Sequence, residues 1–162
     1  DYRHLATVTG ALHEAGCQLH STGDAVLLRS SGELHSIRPV RTAPYPGFPT
    51  DAQAVLMAAL LKSRGATVFV ENIFENRYRH VDELIRMGAD IRVEGRVAVV
   101  CGVDRLQGAQ VQATDLRGGA ALVVAALSAQ GESRIGCIHH IQRGYEDIAR
   151  DLRSLGGQIQ ER

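Results

Sequence analysis

One short pattern, written three times, constrains this chain more than any other feature. Residues 12–19 read LHEAGCQL, residues 84–91 read LIRMGADI and residues 152–159 read LRSLGGQI. Each has the apolar spacing of a last helical turn, then a glycine, then the start of a strand. Glycine just past the last helical residue is a stop signal, because it enters the left-handed backbone region without a Cβ penalty. The copies lie 72 and 68 residues apart. Self-similarity at such a period means one supersecondary unit used repeatedly, each copy burying its apolar face on the next.

Other parts recur with it. Pro-Thr-Asp at 49–51 opens the apolar run AQAVLMAALLKSRG, and Ala-Thr-Asp at 113–115 opens LRGGAALVVAALSAQG. The runs end at Gly65 and Gly131 and lead into the strands ATVFVEN and ESRIGCI. A loop carrying Arg77 or Arg143 follows, then a second helix that ends in the repeated motif. After Gly88 come two alternating segments, ADIRVE and RVAVVCG, whose Glu94-Gly95 junction fits a hairpin. A further strand, AQVQA, leads onward. The expected fold class is therefore α/β, made of repeated βαβαββ modules in one partial domain spanning 1–162. Residues 1–48 read as the tail of a first module, 49–113 as a complete second and 114–162 as most of a third. Such an array is incomplete at both ends, as a fragment of a longer protein, or a natural chain with degenerate end units, would be.

Composition narrows the function classes. The 18 basic and 18 acidic residues balance, so the basic excess that nucleic acid or a membrane surface would require is missing. Lys62 is the single lysine and the other basic residues are arginine. Codon bias explains that, and so does a need for planar guanidinium groups facing carboxylate or phosphate. Cys17, Cys101 and Cys137 are far apart, with neither CxxC nor zinc spacing, and read as buried reduced thiols of a cytoplasmic protein. No apolar stretch is long enough for a membrane span. His139-His140 lacks a third ligand at metal spacing, and read as a strand the pair points to opposite faces.

The helix starts carry the candidate chemistry. Thr50 with Gln53 fits a capping box. Asp51 then sits in the first turn, where it is either a carboxylate placed to suit the helix dipole or a general base at a cleft edge. In the other run Thr114 reads as the N-cap and Arg117 falls at the third helical position. A cation there opposes the dipole at about 0.3–1 kcal/mol, which an anion bound at the same place would offset. Asp115 beside it reads as its ion-pair partner. Gly118 and Gly119 cost about 1 kcal/mol each inside a helix, yet they allow a close approach. Arg77 and Arg143 occupy equivalent loop positions. Arg77, Arg117 and Arg143 are either solvated or gathered around one small dianion. Phe74, in a chain poor in aromatics, reads as core by pattern, with stacking against a base as the other option.

Four strings carry a resemblance: RTAPYPGFPTDAQ (41–53), FENRYRHVDELIRMGADI (74–91), GAQVQATDLRGGAALVVAAL (108–127) and HHIQRGYEDIARDLRSLGG (139–157). Together they resemble the enolpyruvyl transferases, most closely the UDP-N-acetylglucosamine 1-carboxyvinyltransferases of peptidoglycan synthesis. The resemblance implies an inside-out α/β barrel of βαβαββ modules, with this chain as most of a C-terminal domain. It implies that Asp51 takes the proton from the sugar 3-hydroxyl and that Asp115 is a second active-site carboxylate. It places Arg117 and Arg143 on phosphoenolpyruvate, Arg77 in the cleft, and Ile73 and Phe74 along the uridine end of the nucleotide sugar. The implied substrates are phosphoenolpyruvate and UDP-N-acetylglucosamine, without metal or organic cofactor, in the first committed step of cell-wall synthesis. The family's mobile loop with its reactive cysteine lies in the N-terminal domain, and none of this chain's cysteines matches it; the family's Lys-Asn pair is likewise absent. The isolated chain is expected to be inactive. A shikimate-phosphate enolpyruvyl transferase, and a non-catalytic ligand-binding module, are the other readings.

Overall fold

The computed structural model describes residues 2–22 and 25–161. A 3₁₀ turn, Tyr2–Leu5, leads into α1 (Ala6–Glu14) and the antiparallel hairpin β1 (Gln18–Thr22) and β2 (Ala25–Arg29). Next come β3 (Val40–Arg41), α2 (Thr50–Ala59), β4 (Ala66–Val70), α3 (Val81–Arg86), β5 (Asp90–Glu94) and β6 (Val97–Cys101). The last segment holds β7 (Gln110–Gln112), α4 (Leu116–Ser128), β8 (Arg134–Gly136), the short α5 (His139–Gln142) and α6 (Ile148–Ser154). The class is α/β, as the sequence pattern implies. The strands form three separate sheets, and no sheet closes into a barrel among the described residues.

The thrice-repeated motif is one hydrogen-bonding device. Gly16, Gly88 and Gly156 have φ of 104°, 92° and 93°. In each copy the N–H after the glycine reaches back to the leucine carbonyl: Cys17 to Leu12 at 3.0 Å, Ala89 to Leu84 at 3.1 Å and Gly157 to Leu152 at 2.9 Å. The glycine N–H bonds to the carbonyl three residues back, of His13, Ile85 and Arg153. This is the Schellman termination, which satisfies carbonyls the helix end would leave bare. The first two copies enter strands β1 and β5. The third does not: residues 157–161 are irregular, because a strand needs a ladder partner and none lies beside them among the described residues.

The middle sheet runs β3-β4-β6-β5, with β3 parallel to β4 and the other pairs antiparallel. β5 and β6 meet through Gly95-Arg96, with Glu94 opposite Val97, so the expected hairpin is present. α2 crosses from β3 to β4, and α4 crosses from β7 to the parallel β8. These two helices pack on each other. Both are apolar around most of their circumference, which suits helices enclosed by protein. Met57, Leu60, Leu61, Ala121 and Leu122 are fully buried in one core with Phe69, Leu84 and Val100. The Gly118-Gly119 pair admits side chains: a Cβ on Gly118 would lie 2.8 Å from His80 Cβ, and one on Gly119 would lie 2.6 Å from Ile141 Cγ1.

Three local readings differ from the pattern. Thr50 is the first helical residue of α2 and makes no cap bond, its hydroxyl being turned to Glu71, while Gln53 is buried. Asp115, not Thr114, caps α4, so Arg117 is the second helical residue. His139 and His140 lie in α5, their rings 4.2 Å apart, rather than on a strand. Of the cysteines only Cys17 is buried, and Cys137 is exposed.

Three glycine substitutions separate strain from sterics. Gly88→Ala meets no neighbour but must adopt a left-handed φ, costing about 1–2 kcal/mol. Gly102→Ala puts a Cβ 1.5 Å from the Ser63 carbonyl oxygen, costing about 3 kcal/mol or more. Gly10→Ala, mid-helix and unobstructed, gains about 0.5–1 kcal/mol. Urea unfolding should rank them in that way, and equal midpoints for Gly88→Ala and Gly102→Ala would contradict these packing assignments.

Candidate active site

The packing of α2 on α4 brings their first turns together. Asp51 is the second residue of α2 and Arg117 the second of α4. Asp51 Oδ2 accepts from Arg117 Nη2 at 2.6 Å, and Oδ1 accepts from Arg77 Nη2 at 3.0 Å. The two guanidinium groups are 29% and 18% exposed and the carboxylate 56%. The cations therefore line the wall while the anion faces solvent. Arg77 also lies over the ring of Phe74, its Cζ 5.2 Å from the centroid, a cation–π placement.

This pairing fixes charge states. The hydrogen bond from Arg117 holds the Asp51 carboxyl below the ordinary carboxylate range, with further help from the charges of Arg117 and Arg77. Asp51 in turn raises Arg117 above the usual arginine value, and Tyr145 adds to that. Two cations share one anion, so the cluster keeps an excess positive charge. Such a site attracts a small anion.

Asp51 borders a cleft of about 640 Å³ that Arg3, Tyr45, Pro49, Ile73 and Phe74 also line. Phe74 is 49% exposed and Ile73 38%, so Phe74 is a cleft residue rather than the core residue its pattern suggested. Asp115 is not the ion-pair partner of Arg117. Its Oδ1 accepts the backbone N–H of Arg117 and of Gly118, both at 2.9 Å, which leaves the Arg117 side chain to Asp51. Arg143 is exposed at the end of α5. Its neighbour Gly144 packs on Leu116, where a Cβ would lie 2.6 Å from Cδ2. The Arg143 loop thus abuts the first turn of α4, although Arg143 itself forms no ion pair with Asp51. Among the described residues no group of three or more His, Cys, Asp or Glu could hold a metal ion.

Two residues at this site escaped the reading of the pattern. His80 is fully buried beneath Gly118, and neither ring nitrogen has a partner. Burial lowers it to about 4; the charge of Asp115 opposes this, the charge of Arg77 acts with it, and the backbone of Arg77 close to the ring opposes it weakly. Glu71 is buried at the end of β4. Its signal was present: Thr67, Phe69 and Glu71 alternate onto one face, and all three are buried.

The family model of EPSP synthase (3-phosphoshikimate 1-carboxyvinyltransferase) matches residues 2–152. A protein of Desulfofundulus thermocisternus named UDP-N-acetylglucosamine 1-carboxyvinyltransferase is 55% identical over 157 residues, covering 97% of this chain and 64% of that protein. The crystal structure of the enolpyruvyl transferase NikO from Streptomyces tendae superposes with a TM-score of 0.86 at 29% identity, over 96% of this chain and 36% of that one. EPSP synthase from Acinetobacter baumannii has a TM-score of 0.66 at 15% identity, over 97% of this chain and 37% of its own. That last likeness is one of fold alone. The chain thus spans between about a third and two thirds of these relatives.

His80 sets a pH dependence. An unfolded histidine titrates near 6.5 and the folded one near 4, so protons favour the unfolded chain between those values. Stability is fully present above pH 6.5 and falls as pH drops toward 4, by about 3 kcal/mol across the window. Urea midpoints measured from pH 7 to pH 4 should fall in the wild type and flatten in His80→Leu.

Proposed function

The chain belongs to the EPSP synthase (3-phosphoshikimate 1-carboxyvinyltransferase) family, and from that premise we propose that it is part of a transferase for UDP-N-acetylglucosamine. The enzyme moves the enolpyruvyl group of phosphoenolpyruvate to the sugar 3-hydroxyl, the first committed step of peptidoglycan synthesis, in the cytoplasm. Residues 1–48, 49–113 and 114–162 are the tail of one module, a whole second module and most of a third, and an N-terminal domain completes the active site. The observation that carries the reading is the double guanidinium clasp on Asp51 at the edge of the cleft.

The chemistry follows from that clasp. Phosphoenolpyruvate brings a phosphate and a carboxylate, each a match for a guanidinium fork. Arg117 and Arg143 bind it, with Arg77 alongside. As the substrate occupies the guanidinium groups, Asp51 loses the bonds that hold its proton affinity down. Its carboxylate becomes a better base when the second reactant is in place. Asp51 then accepts the 3-hydroxyl proton while the oxygen bonds to C2 of phosphoenolpyruvate and a proton drawn from water adds to C3. Loss of phosphate from C2, with a proton from C3 returned to water, restores the double bond and yields the enolpyruvyl ether. The arginines offset the negative charge of the tetrahedral intermediate. Asp115 keeps α4 capped and frees the Arg117 side chain for substrate. Ile73 and Phe74 supply the apolar surface for the uridine end.

Identity favours the nucleotide sugar over shikimate phosphate: 55% to the relative named for UDP-N-acetylglucosamine against 15% to the Acinetobacter EPSP synthase. Phosphate release by the full-length protein tests the reading. Turnover is expected with UDP-N-acetylglucosamine and not with shikimate 3-phosphate; the reverse result overturns it, and turnover with neither favours a non-catalytic binding module. The isolated chain should release no phosphate. Asp51→Asn should lower kcat by about 10²–10⁴-fold, the range of a lost general base. Arg117→Ala should raise the KM for phosphoenolpyruvate by about tenfold or more, through loss of a charge-assisted bond.

A further inference from the structure

We propose that Glu71 is a positioning residue that sets the nucleotide-sugar end of the cleft; the proposal rests on the function just given. The residue is 1% exposed, and its carboxylate accepts bonds from three segments. Oε1 accepts from Thr42 Oγ1 at 2.9 Å, from the Ile73 N–H at 2.8 Å and from the Phe74 N–H at 3.0 Å. Oε2 accepts from Thr50 Oγ1 at 2.9 Å. Each segment leads straight into the cleft. Thr42 precedes Ala43, Pro44 and Tyr45 of the wall, Thr50 precedes Asp51, and Ile73 and Phe74 are wall residues themselves.

The bonds are directional. The Asn72 N–H donates to Thr42 Oγ1 at 2.8 Å, and that hydroxyl donates onward to Glu71. The Asn72 side chain returns to the Thr42 carbonyl at 3.2 Å, and Arg96 reaches the Asn72 carbonyl at 3.3 Å. The 71–74 loop is thus pinned to Thr42, just past the end of β3, and Glu71 is the centre of the pinning. An apolar side chain of the same size would cost less to bury, but it could not receive two backbone amides and two hydroxyls at once.

The test uses the full-length protein with Glu71→Gln, Glu71→Ala and Thr50→Val. Glutamine keeps Oε1 and the shape, but its amide nitrogen cannot accept from Thr50. The KM for UDP-N-acetylglucosamine should rise about tenfold in Glu71→Ala and less in Glu71→Gln, with the KM for phosphoenolpyruvate within about twofold. Amide exchange at Ile73 and Phe74 should accelerate in step. Equal rises in both KM values would mean general loosening and overturn the proposal. So would faster exchange with an unshifted nucleotide-sugar KM, or unchanged exchange in every variant. If Glu71→Ala does not fold, Glu71→Gln and Thr50→Val decide the matter by the same two readouts. Wild-type protein that does not use the nucleotide sugar fails the parent function first, and this proposal with it.

Discussion

The packing of α2 against α4 is the contact on which everything else depends. The two helices share one core, and their first turns emerge together. That places a carboxylate from one and a guanidinium from the other 2.6 Å apart. Neither residue has a local reason to meet the other, since 66 positions separate them in the chain. The apolar burial behind them makes the encounter permanent. Alanine and leucine on both helices let the backbones approach, and Gly118 and Gly119 let His80 and Ile141 close the gap around the start of α4.

Electrostatically, the site is a wall of cations with one anion at its mouth. Arg77 and Arg117 lie deeper than Asp51, so their charges are less well screened. Asp115 is spent on backbone N–H groups and Glu71 on two amides and two hydroxyls. Neither acid is left to neutralise the arginines. The acid that does so, Asp51, is the most exposed of the three. His80 beneath them is held neutral and adds no charge of its own at ordinary pH.

Much of the fold was legible in local pattern. The leucine-to-glycine motif announced three helix ends, and all three are the same Schellman turn. The Glu94-Gly95 junction announced the β5–β6 hairpin. The failures share a cause. Thr50 and Thr114 have the residue type of a cap, but cap identity depends on where the first turn begins, and Glu71 drew the Thr50 hydroxyl away. Phe74 looked like core because aromatics usually are, yet a loop pinned by Glu71 turned it outward. The third motif was read as entering a strand, but strand formation needs a neighbour, which local pattern does not contain. In the site, helix-start positions mark Asp51 and Arg117 and a loop position marks Arg77, and the structure brings the three together; Arg143 is on the adjoining loop without an ion pair to them.

The sequence by itself determined the repeat, the helix ends and the choice of arginine at equivalent helix entries. These are properties of a few adjacent residues, where backbone sterics and local hydrogen bonds act without help from distant parts. Only the tertiary structure decided that Asp51 answers to Arg77 and Arg117, that Asp115 is a cap, and that Glu71 gathers three segments. Those outcomes depend on which side chains long-range burial brings within hydrogen-bond reach, and on which donors have already been satisfied.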